Sequence, residues 1–197
     1  MALLPFDPQP LNTDLTEHFV SGEVVYRGGL LELRRDVVRL PDGSQSVREF
    51  IRHPGAVMVV PMFDDRRAGL AHARVLLERQ FRYPHGRAFI ELPAGKLEPG
   101  EPHLETAKRE LLEETGYVAA AWTRLATLHT TIAYTDEAIE LWLARGLRYE
   151  GQRLDAGEFL ETLIVPFEEA LAMVKDGRIT DAKSMAGLLW LKAFGTA

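Results

Sequence analysis

The stretch RELLEETG, residues 109–116, places three glutamates, Glu110, Glu113 and Glu114, within five positions. On a helix, spacings of three and four make these side chains neighbours, and each like-charged pair is destabilising by roughly 0.2–0.5 kcal/mol. Gly116 is a typical helix-terminating residue. The glutamates therefore lie at the C-terminal end of the predicted helix, where the macrodipole disfavours negative charge. Either this is a solvated acidic face with ion pairs, or the carboxylates serve a cation.

The helical wheel favours a cation. At 100° per residue, Leu104, Ala107 and Leu111 share one apolar face, and Glu110 and Glu114 border it directly. Two carboxylates at the edge of a buried stripe are poorly placed for a solvated surface. Mg²⁺ binds carboxylate, carbonyl and water oxygens. No histidine lies at metal-ligand spacing on this helix, so zinc is less favoured.

The segment around the glutamates has a longer pattern. Residues 95–117, GKLEPGEPHLETAKRELLEETGY, resemble the Nudix box, G-x5-E-x7-R-E-U-x-E-E-x-G-U, in which U is a bulky apolar residue. The matching positions are Gly95, Glu101, Arg109, Glu110, Leu111, Glu113, Glu114 and Gly116. Only the last position departs, where Tyr117 replaces an aliphatic residue. The resemblance implies that Glu101 and Arg109 orient the loop against the helix.

The same resemblance implies a site and a reaction. It identifies Glu110 and Glu114 as ligands of Mg²⁺, for which Mn²⁺ can substitute, and Glu113 as a further ligand or a supporting group. The backbone carbonyl of Ala94 matches another ligand position, and Glu113 and Glu114 also count as catalytic residues. The implied chemistry is hydrolysis of a nucleoside diphosphate linked to another moiety, with the metal offsetting the charge of the pyrophosphate.

Segments outside the box are similar to the ADP-ribose pyrophosphatase group. They are GGLLELRRDVVRLPDGSQSVREFIRHPGAV, LLERQFRYPHG, ELPAGKLEPGE and LAMVKDGRITDAKSMAGLLWL. This likeness implies a homodimer that exchanges its N-terminal strands. It also implies that Tyr26 stacks on adenine while Arg48 and Arg82 contact phosphate or ribose. The alternatives are that Tyr26 packs between strands and that the arginines are surface charges.

One loop departs from that group. HTTIAYTDE carries Ile132 and Ala133 where these enzymes usually have Pro-Gly, so the substrate is less securely implied than the reaction. Its ending still matches, and Glu137 aligns with a loop glutamate that acts as general base or metal-linked carboxylate. The alternatives are a solvated loop acid at Glu137, or Asp136 in the same role.

The elements that position these residues indicate an α+β protein. Turn residues separate many strands, a central helix spans about 102–115, and two amphipathic helices follow within 167–177 and 181–195. AVMVVPMF predicts a strand buried on both faces. The resemblance makes this a Nudix α/β/α sandwich with a mixed sheet. We expect residues 1–53 to form an antiparallel β extension, exchanged in a dimer, and 54–197 the hydrolase domain.

Composition limits the alternatives. The net charge of −6 over 197 residues argues against a nucleic-acid binder, and the absence of cysteine excludes disulfides and thiolate metal sites. No signal peptide or membrane span is predicted, so we expect a cytoplasmic protein. The leading hypothesis is hydrolysis of ADP-ribose to AMP and ribose 5-phosphate. The alternatives are another nucleoside diphosphate sugar, such as GDP-mannose or ADP-glucose, or a non-catalytic nucleotide-binding regulator.

Overall fold

The computed structural model of the protein describes residues 14–63 and 70–195. Within these ranges the chain forms two compact units. The smaller unit contains the described residues up to Arg52 together with Ala133–Thr135. The larger unit contains His53–Ile132 and the described residues from Asp136 onward.

The smaller unit is a three-stranded antiparallel sheet. Its strands are β1 (His18–Arg27), β2 (Glu32–Arg39) and β3 (Gln45–Arg52), in the order β1-β2-β3. The turn between β2 and β3 depends on Gly43, whose φ of 86° suits glycine, and on Asp42, whose carboxylate accepts the Ser44 amide. Every residue of β1 is exposed. This sheet therefore buries little apolar surface within its own unit.

The larger unit contains a seven-stranded mixed sheet. Its strands are β4 (Ala56–Phe63), β5 (Arg74–Arg82), β6 (Arg87–Glu91), β7 (Ala94–Lys96), β8 (Tyr117–His129), β9 (Ala138–Tyr149) and β10 (Leu160–Pro166). The main order is β10-β5-β4-β9-β8, with β6 on β5 and β7 on β4. β4 and β9 are parallel, while the other pairs are antiparallel.

Helices cover both faces of this sheet. They are α1 (His103–Thr115), α2 (Phe167–Lys175) and α3 (Ala182–Phe194). Strand β4 lies in the middle of the sheet, and its successive side chains point to opposite faces, so it contributes to the core on both sides. Met58 belongs to the core cluster that contains Leu188 of α3, whereas Val57 belongs to the cluster that contains Leu111 of α1. The predicted α/β/α sandwich is confirmed.

Close packing supports this arrangement. A Cβ added at Gly187 of α3 would lie only 2.5 Å from Met58 Cε, so the helix backbone approaches the sheet closely. The apolar pattern of α3 predicts that Leu188 and Leu189 both cover the sheet; Leu188 is buried, whereas Leu189 is 48% exposed. The stretch DDRRAGLAHA, residues 64–73, predicts a loop or long turn, and it lies mostly outside the described residues. No helix among the described residues is long and apolar enough to span a membrane.

Candidate active site

The box segment forms a strand, a loop and helix α1. The helix ends at Gly116, whose φ of 77° is a left-handed conformation that favours glycine, and whose amide donates to Leu112 O. A Cβ at Gly116 would also lie 2.6 Å from the Gln152 amide nitrogen. Gly116 therefore terminates the helix directly after Glu113 and Glu114.

Gly95 brings the strand against the helix. It belongs to β7, which pairs with β4. A Cβ at this position would overlap the Glu110 carboxylate. Only glycine allows Glu110 to lie so close to the β7 backbone, which gives the first residue of the box a steric explanation.

Arg109 joins the loop to the helix. Its guanidinium donates to both Glu101 oxygens at 3.1 Å, and it also binds Glu110 at 2.9 Å and Glu113 at 3.0 Å. Hydrogen bonding to Glu101 is the main reason that the pKa of Arg109 is raised. Arg109 thus supplies a positive charge to three box glutamates, Glu101, Glu110 and Glu113. Glu105, at the start of the helix, pairs with Lys108 and not with Arg109.

Glu114 has a different environment. It is 4% exposed, and its Oε2 accepts the Ala94 amide at 3.1 Å. Burial raises the pKa of Glu114 well above its ordinary value, and the nearby charges of Glu78 and Glu110 raise it further. Burial likewise raises the pKa of Glu110, although Arg109 opposes the shift. The carboxylates that face the sheet are therefore costly to ionise without another cation.

Glu78 of β5 joins this acidic group. It is fully buried, and neither of its carboxylate oxygens has a hydrogen-bond partner among the described residues. Burial raises the pKa of Glu78 to about 8; Glu91 and Glu158 also raise it, and Lys183 lowers it. Glu158, just before β10, accepts the Gln80 side-chain amide at 3.1 Å. Neither Glu78 nor Glu158 was predicted from the sequence. For Glu78 the available signal was its position directly after the apolar run VLL, residues 75–77.

Arg82 is bound by a carboxylate. Its Nε and Nη2 donate to the two oxygens of Glu91 at 2.8 and 2.9 Å, in a forked pair. Glu91 also accepts from Lys183, which donates to Asp181 at 2.9 Å as well. Arg82 is therefore held in place rather than free at the surface.

Glu137 lies at the end of the sheet that carries the box loop. The register places Ile139 of β9 beside Ala56, and Ala56 beside Lys96 of β7, so two strand spacings, roughly 10 Å, separate β9 from β7. Thr130 donates to Glu137 at 2.6 Å, and His53 Nε2 lies 3.6 Å from its other oxygen.

Asp136 is held differently from its neighbour. Its carboxylate accepts the His53 backbone amide at 2.7 Å. This contact gives Asp136 a structural part in the turn and favours Glu137 for the predicted role.

Comparison with known proteins identifies the family. The family model described as NUDIX domain matches residues 52–188. The chain belongs to the NUDIX family. It is 37% identical to an ADP-ribose pyrophosphatase of Bacillus subtilis (strain 168), over 90% of this chain and 94% of the relative. It is 35% identical to a methanol dehydrogenase activator of Bacillus methanolicus, over 89% and 92%.

The fold comparison agrees. A crystal structure of an ADP compounds hydrolase superposes with a TM-score of 0.77 at 26% identity, covering 92% of this chain and 97% of the other. The predicted Nudix fold is thereby confirmed, and the prediction of a member resembling ADP-ribose pyrophosphatases is confirmed with it.

The other predicted binding residues belong to the smaller unit. Tyr26 is 58% exposed on β1, while Arg48 on β3 pairs with Glu17. The register places Tyr26 opposite Leu33 and Arg48 opposite Asp36, so the two side chains lie at different levels of the sheet. The roles of Tyr26, Arg48 and Arg82 stay predictions.

The carboxylates around the box can be tested for their fit to a divalent metal ion. Among the described residues, no three carboxylate or imidazole groups already converge as metal ligands. The donor set nevertheless fits a hard cation. Within the described ranges, both Glu78 oxygens lack a hydrogen-bond partner and buried Glu114 has no hydrogen bond to a cation, while Gly95 leaves space for the Glu110 carboxylate.

Proposed function

We propose that this NUDIX enzyme hydrolyses the pyrophosphate bond of ADP-ribose, giving AMP and ribose 5-phosphate. The observation that carries the reaction class is the pair of buried carboxylates beside the box, Glu78 and Glu114, because burial opposes their ionisation and a divalent cation would favour it. The substrate is supported by the likeness to an ADP-ribose pyrophosphatase, because that likeness extends over 90% of this chain, well beyond the box.

Glu110, Glu114 and the carbonyl of Ala94 would hold the metal, with Glu113 as a supporting ligand. We propose Mg²⁺, with Mn²⁺ as a substitute, since the donors are all oxygens. When bound, the metal offsets the charge of the pyrophosphate and lowers the pKa of a bound water. Gly95 and Arg109 position these ligands, Gly95 by close approach and Arg109 by binding the loop to the helix.

Glu137 is the proposed general base. Thr130 and His53 hold its carboxylate in a loop between two strands, where it can accept a proton from the attacking water. The strands that carry the two sites, β9 after Glu137 and β7 in the box, lie on either side of β4, and we propose that the pyrophosphate binds between Glu137 and the box glutamates.

Arg82 is proposed to bind phosphate or ribose. Its pair with Glu91 uses Nε and Nη2. A guanidinium has five N–H donors, so Nη1 can still donate to a phosphate oxygen while Glu91 holds the plane of the group. Tyr26 would stack on adenine, and Arg48 would contact the substrate after sharing or releasing Glu17.

A cytoplasmic homodimer is also part of the proposal. The exposed apolar side chains of the smaller unit are concentrated on β1 and in the turn between β1 and β2. They include Phe19, Val20, Val24, Val25, Tyr26, Leu30 and Leu31. An apolar patch of this kind is typical of an interface. We propose that these strands reach the other subunit and bring Tyr26 and Arg48 to its substrate.

A panel of substrates tests the function. With Mg²⁺ present, ADP-ribose should be hydrolysed with a higher kcat/KM than GDP-mannose, ADP-glucose or NADH, and the products should be AMP and ribose 5-phosphate. If GDP-mannose or ADP-glucose were better by about tenfold, which corresponds to about 1.4 kcal/mol of transition-state preference, the substrate would be wrong while the reaction class survived.

A regulatory function is the second candidate, because one relative is a methanol dehydrogenase activator. The complete set of box glutamates favours hydrolysis, since a domain that only binds a partner has no need of them. A panel in which no nucleoside diphosphate sugar is hydrolysed would favour the regulator.

A further inference from the structure

Glu78 presents a problem that the assigned residues leave unsolved. The carboxylate is completely buried, and both of its oxygens lack hydrogen-bond partners among the described residues. An unpaired buried carboxylate is strongly unfavourable, so such groups in proteins are usually paired or bind metals. Neither oxygen is needed for packing, which an apolar side chain of the same size would serve better.

The nearby lysine does not solve it. Lys183 binds Glu91 and Asp181, and Glu91 is also bound by Arg82. Lys183 and Arg82 are thus hydrogen-bonded to other carboxylates. Their charges act on Glu78, but neither is hydrogen-bonded to it.

The register brings Glu78 to the metal ligands. Glu78 of β5 lies directly opposite Glu91 of β6. Three residues after Glu91, the amide of Ala94 binds the Glu114 carboxylate. Glu78 is accordingly among the charges that act on Glu114. Two buried carboxylates from a strand and a helix therefore border the same small region, beside the proposed carbonyl ligand.

We propose that Glu78 is an additional ligand of the divalent cation held by Glu110 and Glu114. The site would then combine donors of β5 with those of the box, and the metal would supply the partner that the Glu78 oxygens lack. This inference rests on the proposed metal-dependent function. It assigns the metal a ligand outside the box, at residue 78.

The experiment measures metal binding in the full-length protein. Mn²⁺ binding to Glu78→Gln is measured by electron paramagnetic resonance and compared with the wild type, Glu114→Gln and Glu161→Gln. Glu161 is the matched control, because it is an exposed carboxylate on β10 that pairs with Arg79 at the surface. A second measurement is the rise in Tm on adding Mn²⁺, which reports binding to the folded state.

We expect Glu78→Gln to bind Mn²⁺ roughly 10- to 100-fold more weakly, the usual effect of losing a group that supports a metal site. Its Tm should rise less with Mn²⁺ than that of the wild type, while Glu161→Gln should match the wild type in both measurements. If the amide prevents folding, Glu78→Leu is measured in the same way, since it fills the space without a polar group.

The outcomes separate this inference from the proposed function. Wild-type Mn²⁺ affinity and stoichiometry in Glu78→Gln, together with weak binding in Glu114→Gln, would overturn the role of Glu78 and leave the function intact. Absence of Mn²⁺ binding to the wild type would overturn both. Weak binding in Glu161→Gln as well would show a general effect of charge and overturn the specific role.

Discussion

Replacing Glu78 by glutamine should stabilise the metal-free protein, and the gain should grow with pH. Burial raises the pKa of Glu78 from the ordinary 4.5 to about 8. Below pH 4.5 the carboxyl is protonated in both the folded and unfolded states and has no effect. Between the two pKa values only the folded state keeps the proton, so the free energy of unfolding of the wild type falls as pH rises.

The size of the effect follows from the two pKa values. Each pKa unit corresponds to about 1.4 kcal/mol. The wild type should therefore lose about 1 kcal/mol at pH 5, about 3 kcal/mol at pH 7 and about 5 kcal/mol at pH 9, relative to a protein that is neutral at residue 78. Groups that do not interact with Glu78 titrate in both proteins and cancel in the comparison, while the repulsion between Glu78 and Glu114 adds in the same direction.

Urea unfolding in EDTA at pH 5, 7 and 9 measures this difference. Equal m values for wild type and Glu78→Gln are needed for the comparison to hold. Glu161→Gln is the control, and its difference from the wild type should stay small at each pH, as expected for a surface ion pair. A stability difference between Glu78→Gln and the wild type that did not change with pH would refute the reasoning.

Further predictions concern the box, the base and the assembly. Glu110→Gln and Glu114→Gln should each lower kcat by orders of magnitude in folded protein, and wild-type turnover in EDTA would contradict the metal role. Gly95→Ala should weaken Mn²⁺ binding, because the new Cβ overlaps the Glu110 carboxylate; unchanged affinity would contradict it. Glu137→Gln should lower kcat far more than it raises KM, and an unchanged kcat would remove it as general base. Light scattering should show a homodimer, and a monomer at micromolar concentration would count against strand exchange.

Features set by local pattern were predictable from the sequence. The apolar run AVMVVPMF coincides with β4, and the helix predicted at about 102–115 is α1, His103–Thr115. Hydrophobic periodicity and helix-terminating residues depend on positions that are close in the sequence, so such elements can be predicted without knowledge of the tertiary structure. The box motif likewise located the loop, the helix and the glutamates together.

Features that depend on distant residues were not predictable. Arg82 is a plausible phosphate ligand in the sequence, yet its partner Glu91 lies nine positions away on the next strand, and Lys183 joins them from 92 positions beyond Glu91. Nor does the sequence distinguish Glu78 from an exposed glutamate. Its burial follows from the strands and helices around β5, which are assembled only in the fold.

The environments of the glutamates imply a division of roles within the box. Arg109 donates hydrogen bonds to Glu101 and Glu113, so these carboxylates have a cationic partner without metal. Among the described residues, neither Glu114 nor Glu78 is hydrogen-bonded to a cation, and burial raises the pKa of both, so their ionisation makes the metal-free folded state less stable. The same burial strengthens their attraction for a divalent cation, because a charge pair interacts more strongly where water is excluded.

Metal-free stability and metal affinity should therefore change in opposite directions. A variant that removes one of the buried carboxylates should relieve repulsion in the metal-free protein and also remove a proposed metal ligand. Glu78→Gln and Glu114→Gln should then be more stable than the wild type in EDTA but gain less Tm with Mn²⁺, whereas Glu161→Gln should change neither. If a variant gained metal-free stability and kept full affinity, its carboxylate would be a buried charge with no part in binding the metal.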